Sequence, residues 1–295
     1  MQEVSLDSRF GIVNADLQAA LRINVQSALA EDVGACDLTG LLVPESKQVE
    51  ARVIVREEAV LCGVPWFEAV MKAVDPQIVI EWLAVEGDVM QPNDVVCRLR
   101  GSARSLLTAE RSALNFLQLL SAVASATKNY VDMIRGTSAA ILDTRKTLPG
   151  MRLAQKYAVR VGGGENQRLA LYDGILIKEN HIAAAGGIRA ALLAAQEVVS
   201  GREGVTVQIE VESLEELNEA LEAGAVSVLL DNFNLQMMRD AVVLNRGRAK
   251  LEASGGVDRS TVRAIAETGV DRISIGALTK DVKAVDYSMR VVASL

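Results

Sequence analysis

The sequence predicts an α/β protein built on a parallel sheet, and three observations carry that prediction. In the second half of the 295 residues, short apolar runs at 139–142, 174–177, 205–211, 226–230, 249–253 and 272–275 alternate with helical patterns at 188–199, 214–223, 235–245 and 260–267. The runs end in polar or glycine residues: Asp143, Thr144, Arg145 and Lys146; Lys178; Glu210 and Glu212; Asp231; Glu252, Ser254 and Gly255; Gly276. Half of the residues (50%) are apolar, so the chain can bury a large core, as one large α/β domain or two unequal ones.

The elements follow in chain order. Residues 15–31 carry a helical pattern that ends in an acidic turn. Alternating runs near 50–56 and 78–83 read as strands, and 84–100 places turn residues between short apolar strands, as a small β-rich layer would. Apolar positions three and four apart over 106–134 predict one long helix or two abutting ones. The six later runs predict six parallel strands, for which a barrel, or part of one, competes with an open doubly wound sheet. No G-x-G-x-x-G follows the first of them, which disfavours a dinucleotide-binding sheet.

A net charge of −7 argues against a general nucleic-acid binder but leaves anionic small molecules open, because local charge can oppose the total. Cys36, Cys62 and Cys97 are isolated in sequence and read as reduced, buried thiols rather than a disulfide frame or a zinc site. The single histidine, His181, leaves no histidine-based zinc cluster. It reads as readily as a hydrogen-bonded structural residue as a catalytic one. The opening MQEVSLDSRF lacks the basic-then-apolar pattern of a secretory signal, and no apolar run approaches the roughly 18–20 residues that span a bilayer, so the expected location is cytoplasmic.

The strand ends carry the chemistry, since parallel α/β folds and barrels use the carboxyl ends of their strands. Between Asp143 and His181 stand seven cations, Arg145, Lys146, Arg152, Lys156, Arg160, Arg168 and Lys178, against four acids. A basic segment inside an acidic chain suggests a pocket for a multiply anionic ligand, with arginine suited to carboxylate and phosphate. Arg152, Lys156 and Arg160 follow helical spacing, so at least one is expected to be solvated or structurally paired. Glu210 and Glu212 lie two apart on a strand and point to one side, with Asp231 ending the next strand beside Glu210. Such carboxylates suit Mg²⁺, held with substrate phosphates, or simply an ion pair with a nearby lysine. Ser254-Gly255-Gly256 and Gly276-Ala277 precede helical segments, where bare backbone N–H groups can hold a phosphate. Gly162-Gly163-Gly164 is not followed by Gly-Lys-Ser/Thr and reads as a tight turn.

Four segments resemble quinolinate phosphoribosyltransferases: DTRKTLPGMR at 143–152, KYAVRVGGGENQR at 156–168, YDGILIKENHI at 172–182, and Glu210-Val211-Glu212 with LLDN at 229–232. EDVGACDLTG at 31–40, ERSALNFLQ at 110–118, residues 252–256 and IGALTK at 275–280 match as well, so the resemblance runs over nearly the whole chain. It implies an incomplete α/β barrel with fewer than eight parallel strands, over 112–281. An N-terminal α/β sandwich-like domain is expected over 1–111, with 282–295 packing on it. The implied activity transfers phosphoribosyl from phosphoribosyl pyrophosphate to quinolinate, releasing CO2 and pyrophosphate and giving nicotinate mononucleotide for NAD biosynthesis. Lys146, Lys178, Glu210 and Asp231 are the implied catalytic residues. The implied substrate-binding set adds Arg111, Thr144, Arg145, Gln167, Arg168, Ser254, Gly255, Gly276 and Ala277. Glu210 and Asp231 would meet Mg²⁺ largely through substrate. Members are homodimers or larger, up to hexamers, so Arg111 would reach the neighbouring subunit's site. Nucleic acid and membrane are not expected as partners.

One departure stands out. The family has Asn-His-Arg where this chain has Asn166-Gln167-Arg168. Gln167 can donate a hydrogen bond to a carboxylate but cannot carry a proton or a charge. Two other readings compete: a paralogue that binds a small anion without catalysis, and a barrel lyase using Lys178 as a Schiff base. Nicotinate as acceptor is disfavoured, because one carboxylate does not call for so many cations.

Overall fold

The computed structural model describes residues 15–295; the opening segment MQEVSLDSRF lies outside the described residues. The chain forms two compact units, one comprising residues through Lys128 with Leu148–Gly163 and Asp281–Leu295, the other Asn129–Thr147 with Gly164–Lys280.

In the first unit, α1 (Ala15–Asp32), α2 (Val64–Val74), most of α3 (Ala103–Met133) and α4 (Arg152–Val161) accompany an antiparallel sheet. Its strands are β1 (Gln48–Val55), β3 (Val79–Trp82), β5 (Val95–Ser102) and β12 (Tyr287–Ser294), in the order β12-β1-β5-β3. A two-stranded ribbon joins β2 (Ala59–Val60) to β4 (Val89–Met90). The long apolar repeat is a single helix of 31 residues, about 46 Å long, and the boundary between units falls within it. Trp66 and Phe67 of α2 are fully buried, each worth roughly 1.5–3 kcal/mol. Trp66 stacks obliquely on Tyr157 at 5.6 Å and donates from Nε1 to Asn24 Oδ1, so its polar edge is satisfied. One detail differs from the sequence expectations: Cys36 is exposed, whereas Cys62 and Cys97 are buried free thiols as expected. In α4, Ala154–Val159 are buried without a break, so that stretch is enclosed on all sides and Lys156 with it, while Arg152 and Arg160 are partly exposed.

The second unit holds the six strands expected: β6 (Ala140–Leu142), β7 (Gly174–Ile177), β8 (Thr206–Val211), β9 (Ser227–Asp231), β10 (Lys250–Ser254) and β11 (Arg272–Ser274). All five pairings are parallel, and the order is β6-β11-β10-β9-β8-β7. From β7 to β11 consecutive strands are neighbours, and β6 pairs with β11, which is the order of a sheet curling into a barrel, not of a doubly wound sheet that reverses at a switch point. Between β6 and β7 the gap is partly filled by a chain segment: Glu165 bridges in parallel to Leu142. Helices follow the strands: α5 (Glu179–Ala185), α6 (Ile188–Val199), α7 (Leu214–Glu222), α8 (Leu235–Asn245), α9 (Val262–Ala266) and α10 (Ala277–Lys280). Polar residues end strands by capping the next helix. Ser213 Oγ accepts the Glu216 N–H, and Asn234 Oδ1 accepts the N–H groups of Gln236 and Met237. No single helix among the described residues is long and apolar enough to cross a membrane.

Candidate active site

Period-two alternation puts Gln208 and Glu210 on one face of β8, Leu229 and Asp231 on one face of β9, and Glu252 and Ser254 on one face of β10. Val207, Ile209 and Val211 take the opposite face of β8. The register aligns Asp231 with Ser254 and Leu229 with Glu252, so the strand-end residues form a rim and Gln208 and Glu252 a buried layer beneath it. All of the expected site residues except Arg111 lie in this unit. Arg111 is exposed midway along α3 and is assigned to the first unit.

Three local groupings tie the rim together. Lys178, at the junction of β7 and α5, brings Nζ to 3.0 Å from Glu210 Oε2. Its backbone N–H is accepted by His181 Nδ1 at 3.1 Å, so the lone histidine caps the helix that begins there. Glu212, beyond the end of β8, is exposed and donates its N–H to Glu216, separate from the Lys178–Glu210 pair. The second grouping joins Asp231, Asn232 and Gly255. Asn232 and Gly255 both have positive φ (56° and 101°), and a Cβ on Gly255 would stand 3.0 Å from Asn232 Oδ1 and 3.6 Å from Asp231 Oδ1. The third joins Thr144, Lys146 and Gly276. Thr144 Oγ1 accepts the Lys146 N–H, Thr279 donates to the Lys146 carbonyl, and a Cβ on Gly276 would meet the Lys146 side chain at 3.1 Å. A side chain there would have to displace the lysine stem, which lies against the Gly276 backbone.

The second arginine is supplied by the segment that fills the sheet gap. Asp143, fully buried, accepts Asn166 Nδ2 at 2.6 Å and the Gln167 N–H at 3.0 Å, pinning 166–167 to the end of β6. Arg168 then donates from Nη1 to the Gly174 carbonyl. Burial and the positive charge of Arg145 lower the Arg168 pKa, and the Asp173 carboxylate opposes them. Asp143 was read from the sequence as a strand-end polar residue but was not among the expected site residues. Its signal was its place directly after an apolar run, which does not distinguish a ligand from a brace.

Below the rim, Gln167 Nε2 donates to Gln208 Oε1 at 2.6 Å, and Gln208 Nε2 donates to Glu252 Oε2 at 2.9 Å. Glu252 is 1% exposed; burial raises its pKa, and Gln208, Ser274 and Arg272 oppose that shift. A cavity of about 620 Å³ runs past these side chains to Thr206, Ser227, Lys250 and Arg272 at the amino ends of the strands. It therefore opens on the side opposite the strand-end rim.

The family models decide the kinship. The N-terminal domain of quinolinate phosphoribosyl transferase matches residues 37–121, and its C-terminal domain matches 123–290. The chain belongs to the quinolinate phosphoribosyltransferase family. It is 38% identical to a chloroplastic nicotinate-nucleotide pyrophosphorylase [carboxylating] of Arabidopsis thaliana, over 94% of this chain and 83% of that protein. It is also 38% identical to a probable enzyme of the same name from Bacillus subtilis, over 90% of this chain and 91% of that one. The nicotinate-nucleotide pyrophosphorylase structure from Francisella tularensis superimposes with a TM-score of 0.90 at 44% identity, covering 98% of this chain and 100% of that one. The incomplete parallel barrel and the separate antiparallel sheet are thus the architecture of this family, as the resemblance implied.

Proposed function

We propose that the chain transfers the phosphoribosyl group of phosphoribosyl pyrophosphate to quinolinate, releasing pyrophosphate and CO2 and giving nicotinate mononucleotide. The observation that carries this reading is the Lys178–Glu210 pair at the strand ends, in the same unit as the Asp231–Gly255 turn and the cations Arg145, Lys146 and Arg168. Guanidiniums suit a dicarboxylate, and carboxylates near bare backbone suit a ribose and its phosphate. The pyridine nitrogen attacks ribose C1, and the bond from C1 to the pyrophosphate oxygen breaks with its electron pair. The pyridinium so formed withdraws electrons. The bond from C2 to its carboxylate then breaks, CO2 leaves, and the pair kept on C2 takes a proton from solvent. Lys146 and the arginines stabilise the leaving group and hold the carboxylates, which is electrostatic preorganisation rather than acid–base work.

The metal implied by the resemblance fits this donor set. No group of three or more His, Cys, Asp or Glu side chains among the described residues could hold an ion. Glu210 and Asp231 alone suit Mg²⁺ carried mainly by substrate phosphates, where it would neutralise the leaving pyrophosphate. The reading includes a cytoplasmic homodimer in which Arg111, exposed on α3, serves the neighbouring site. Lys178 reads as a cation and not a Schiff base, because its ammonium is already paired with Glu210.

The test mixes protein, Mg²⁺, phosphoribosyl pyrophosphate and quinolinate and quantifies nicotinate mononucleotide and CO2, with nicotinate in a parallel tube. Equimolar products from quinolinate alone are expected. No product, with both ligands still bound by calorimetry, would identify a binding paralogue.

A further inference from the structure

The buried chain Gln167–Gln208–Glu252 has a direction. At one end a backbone donor, the Arg168 N–H, meets Gln167 Oε1 at 2.6 Å. At the other end an oxygen of Glu252 accepts from Gln208 Nε2 at 2.9 Å. Between them, two amides can each be turned either way, and amide orientation is assigned from the hydrogen bonds it makes. With Glu252 accepting, one arrangement satisfies both ends: Gln208 presents nitrogen to Glu252, which leaves Gln208 Oε1 facing Gln167. Gln167 must then present nitrogen to Gln208, as it does at 2.6 Å, which leaves its oxygen for Arg168. Turning either amide would set nitrogen against nitrogen or oxygen against oxygen inside the barrel, where an unmade hydrogen bond costs most.

We infer that Glu252 is a positioning residue, which through Gln208 fixes the Gln167 amide and so holds the backbone from which the Arg168 guanidinium reaches the substrate anion. The inference rests on the proposed reading only in naming that anion as quinolinate. Glu252 sits beneath the rim, in the buried layer with Gln208. Its oxygen supplies the one end of the chain that no backbone group provides. Gln167, in place of the family's histidine, is thereby an orienting link, with its Nε2 committed to Gln208. The charged groups lining the same cavity are Glu165 and Arg168 of the gap segment, Arg272 of β11, and Lys250 of β10 itself. Lys250 is already paired with Asp271 at 2.7 Å.

The discriminating variants are Glu252→Gln and the double exchange Glu252→Gln with Gln208→Glu. The single variant keeps the volume but presents both oxygen and nitrogen, so the direction of the chain is no longer enforced. The exchange restores it, because a carboxylate at 208 accepts from Gln167 on one side and from the new amide at 252 on the other. Steady-state kinetics, melting temperature and hydrogen exchange of the peptide containing Arg168 are measured on the full chain. For Glu252→Gln the KM for quinolinate is expected to rise about tenfold, the factor one hydrogen bond to a charged group is worth. The KM for phosphoribosyl pyrophosphate and the melting temperature should hold while exchange at Arg168 quickens, and the double exchange should return both altered values towards the starting protein. An unchanged KM and exchange rate, a loss in both KM values together with melting temperature, or no recovery in the double exchange overturns the inference. If the starting protein turns nothing over, the proposed function fails, and exchange at Arg168 with its recovery still decides the positioning role.

Discussion

Lys178 Nζ lies 3.0 Å from Glu210 Oε2, linking the ends of adjacent strands β7 and β8. The lysine side chain is 48% exposed, so the pair contributes only about 0–1 kcal/mol to stability. Lys178→Ala is therefore expected to leave the melting temperature nearly unchanged and to lower kcat/KM by about a hundredfold or more, as loss of one charge-stabilising group does. Near-normal turnover in a folded Lys178→Ala protein would remove the residue from the chemistry.

Burial and the charge of Arg145 lower the Arg168 pKa, and a dianion that reaches both cations should oppose that shift. Quinolinate at about 100 times its Kd should raise unfolding stability by about 2.7 kcal/mol, read as a higher melting temperature. In Arg145→Ala or Arg168→Ala that upward shift should nearly vanish, and an undiminished shift in both would place the ligand elsewhere.

A pH effect resides in the first unit. Glu86 is 6% exposed, accepts the N–H groups of Gly63 and Val64 at the start of α2, and is pushed by burial up to about 7. Below the ordinary carboxyl value of 4.5 both folded and unfolded chains hold its proton; between 4.5 and about 7 only the folded chain does. Its contribution is thus full at low pH and falls as pH rises through that window, by on the order of 3 kcal/mol in all. Denaturant titrations from pH 5 to 7 should show this slope flattened in Glu86→Gln. The variant also loses one of the two acceptors for the helix start, so its stability at pH 5 should be lower. A slope identical to that of the starting protein would show that Glu86 does not titrate there.

Gly255→Ala combines a φ of 101° with a Cβ 3.0 Å from Asn232 Oδ1. The backbone conformation alone costs about 1–3 kcal/mol, and moving Asn232 disturbs the adjacent Asp231. The KM for phosphoribosyl pyrophosphate should rise more than that for quinolinate. Equal effects on the two would argue against a ribose or phosphate at this turn.

Arg111 tests the assembly. If it serves the neighbouring subunit's site, mixing inactive Arg111→Ala with inactive Lys178→Ala should restore roughly a quarter of the activity, because each mixed dimer carries one intact site. No recovery after subunit exchange would confine Arg111 to its own chain.

The sequence announced the second unit more clearly than the first. Each barrel strand is a short apolar run closed by a polar residue, so β6 to β11 and the rim residues Lys178, Glu210 and Asp231 were all legible. The helix α2 was not, and its N-terminus is satisfied by Glu86 from 22 residues away. Nor was α5, whose start is capped by the side chain of His181. Gln208 and Glu252 were visible as polar residues at alternate positions in otherwise apolar strands. Nothing local says that they meet, since 44 residues separate them and β9 lies between their strands. The helical spacing of Arg152, Lys156 and Arg160 did not say which of them is solvated; packing buries Lys156 and leaves the other two partly exposed.

The pairing of β6 with β11 also sets a timetable for synthesis. Ala140 finds its partner only at Arg272, and on the other unit Val49 pairs with Ser294. At ribosomal rates of about 5–20 residues per second, β6 waits roughly 7–25 s for its neighbour. Neither sheet can be completed while the last strands are still in the exit tunnel. Each sheet therefore stays incomplete until its late strand has emerged, and until then the open edge of β6 is the surface that a chaperone would have most reason to cover.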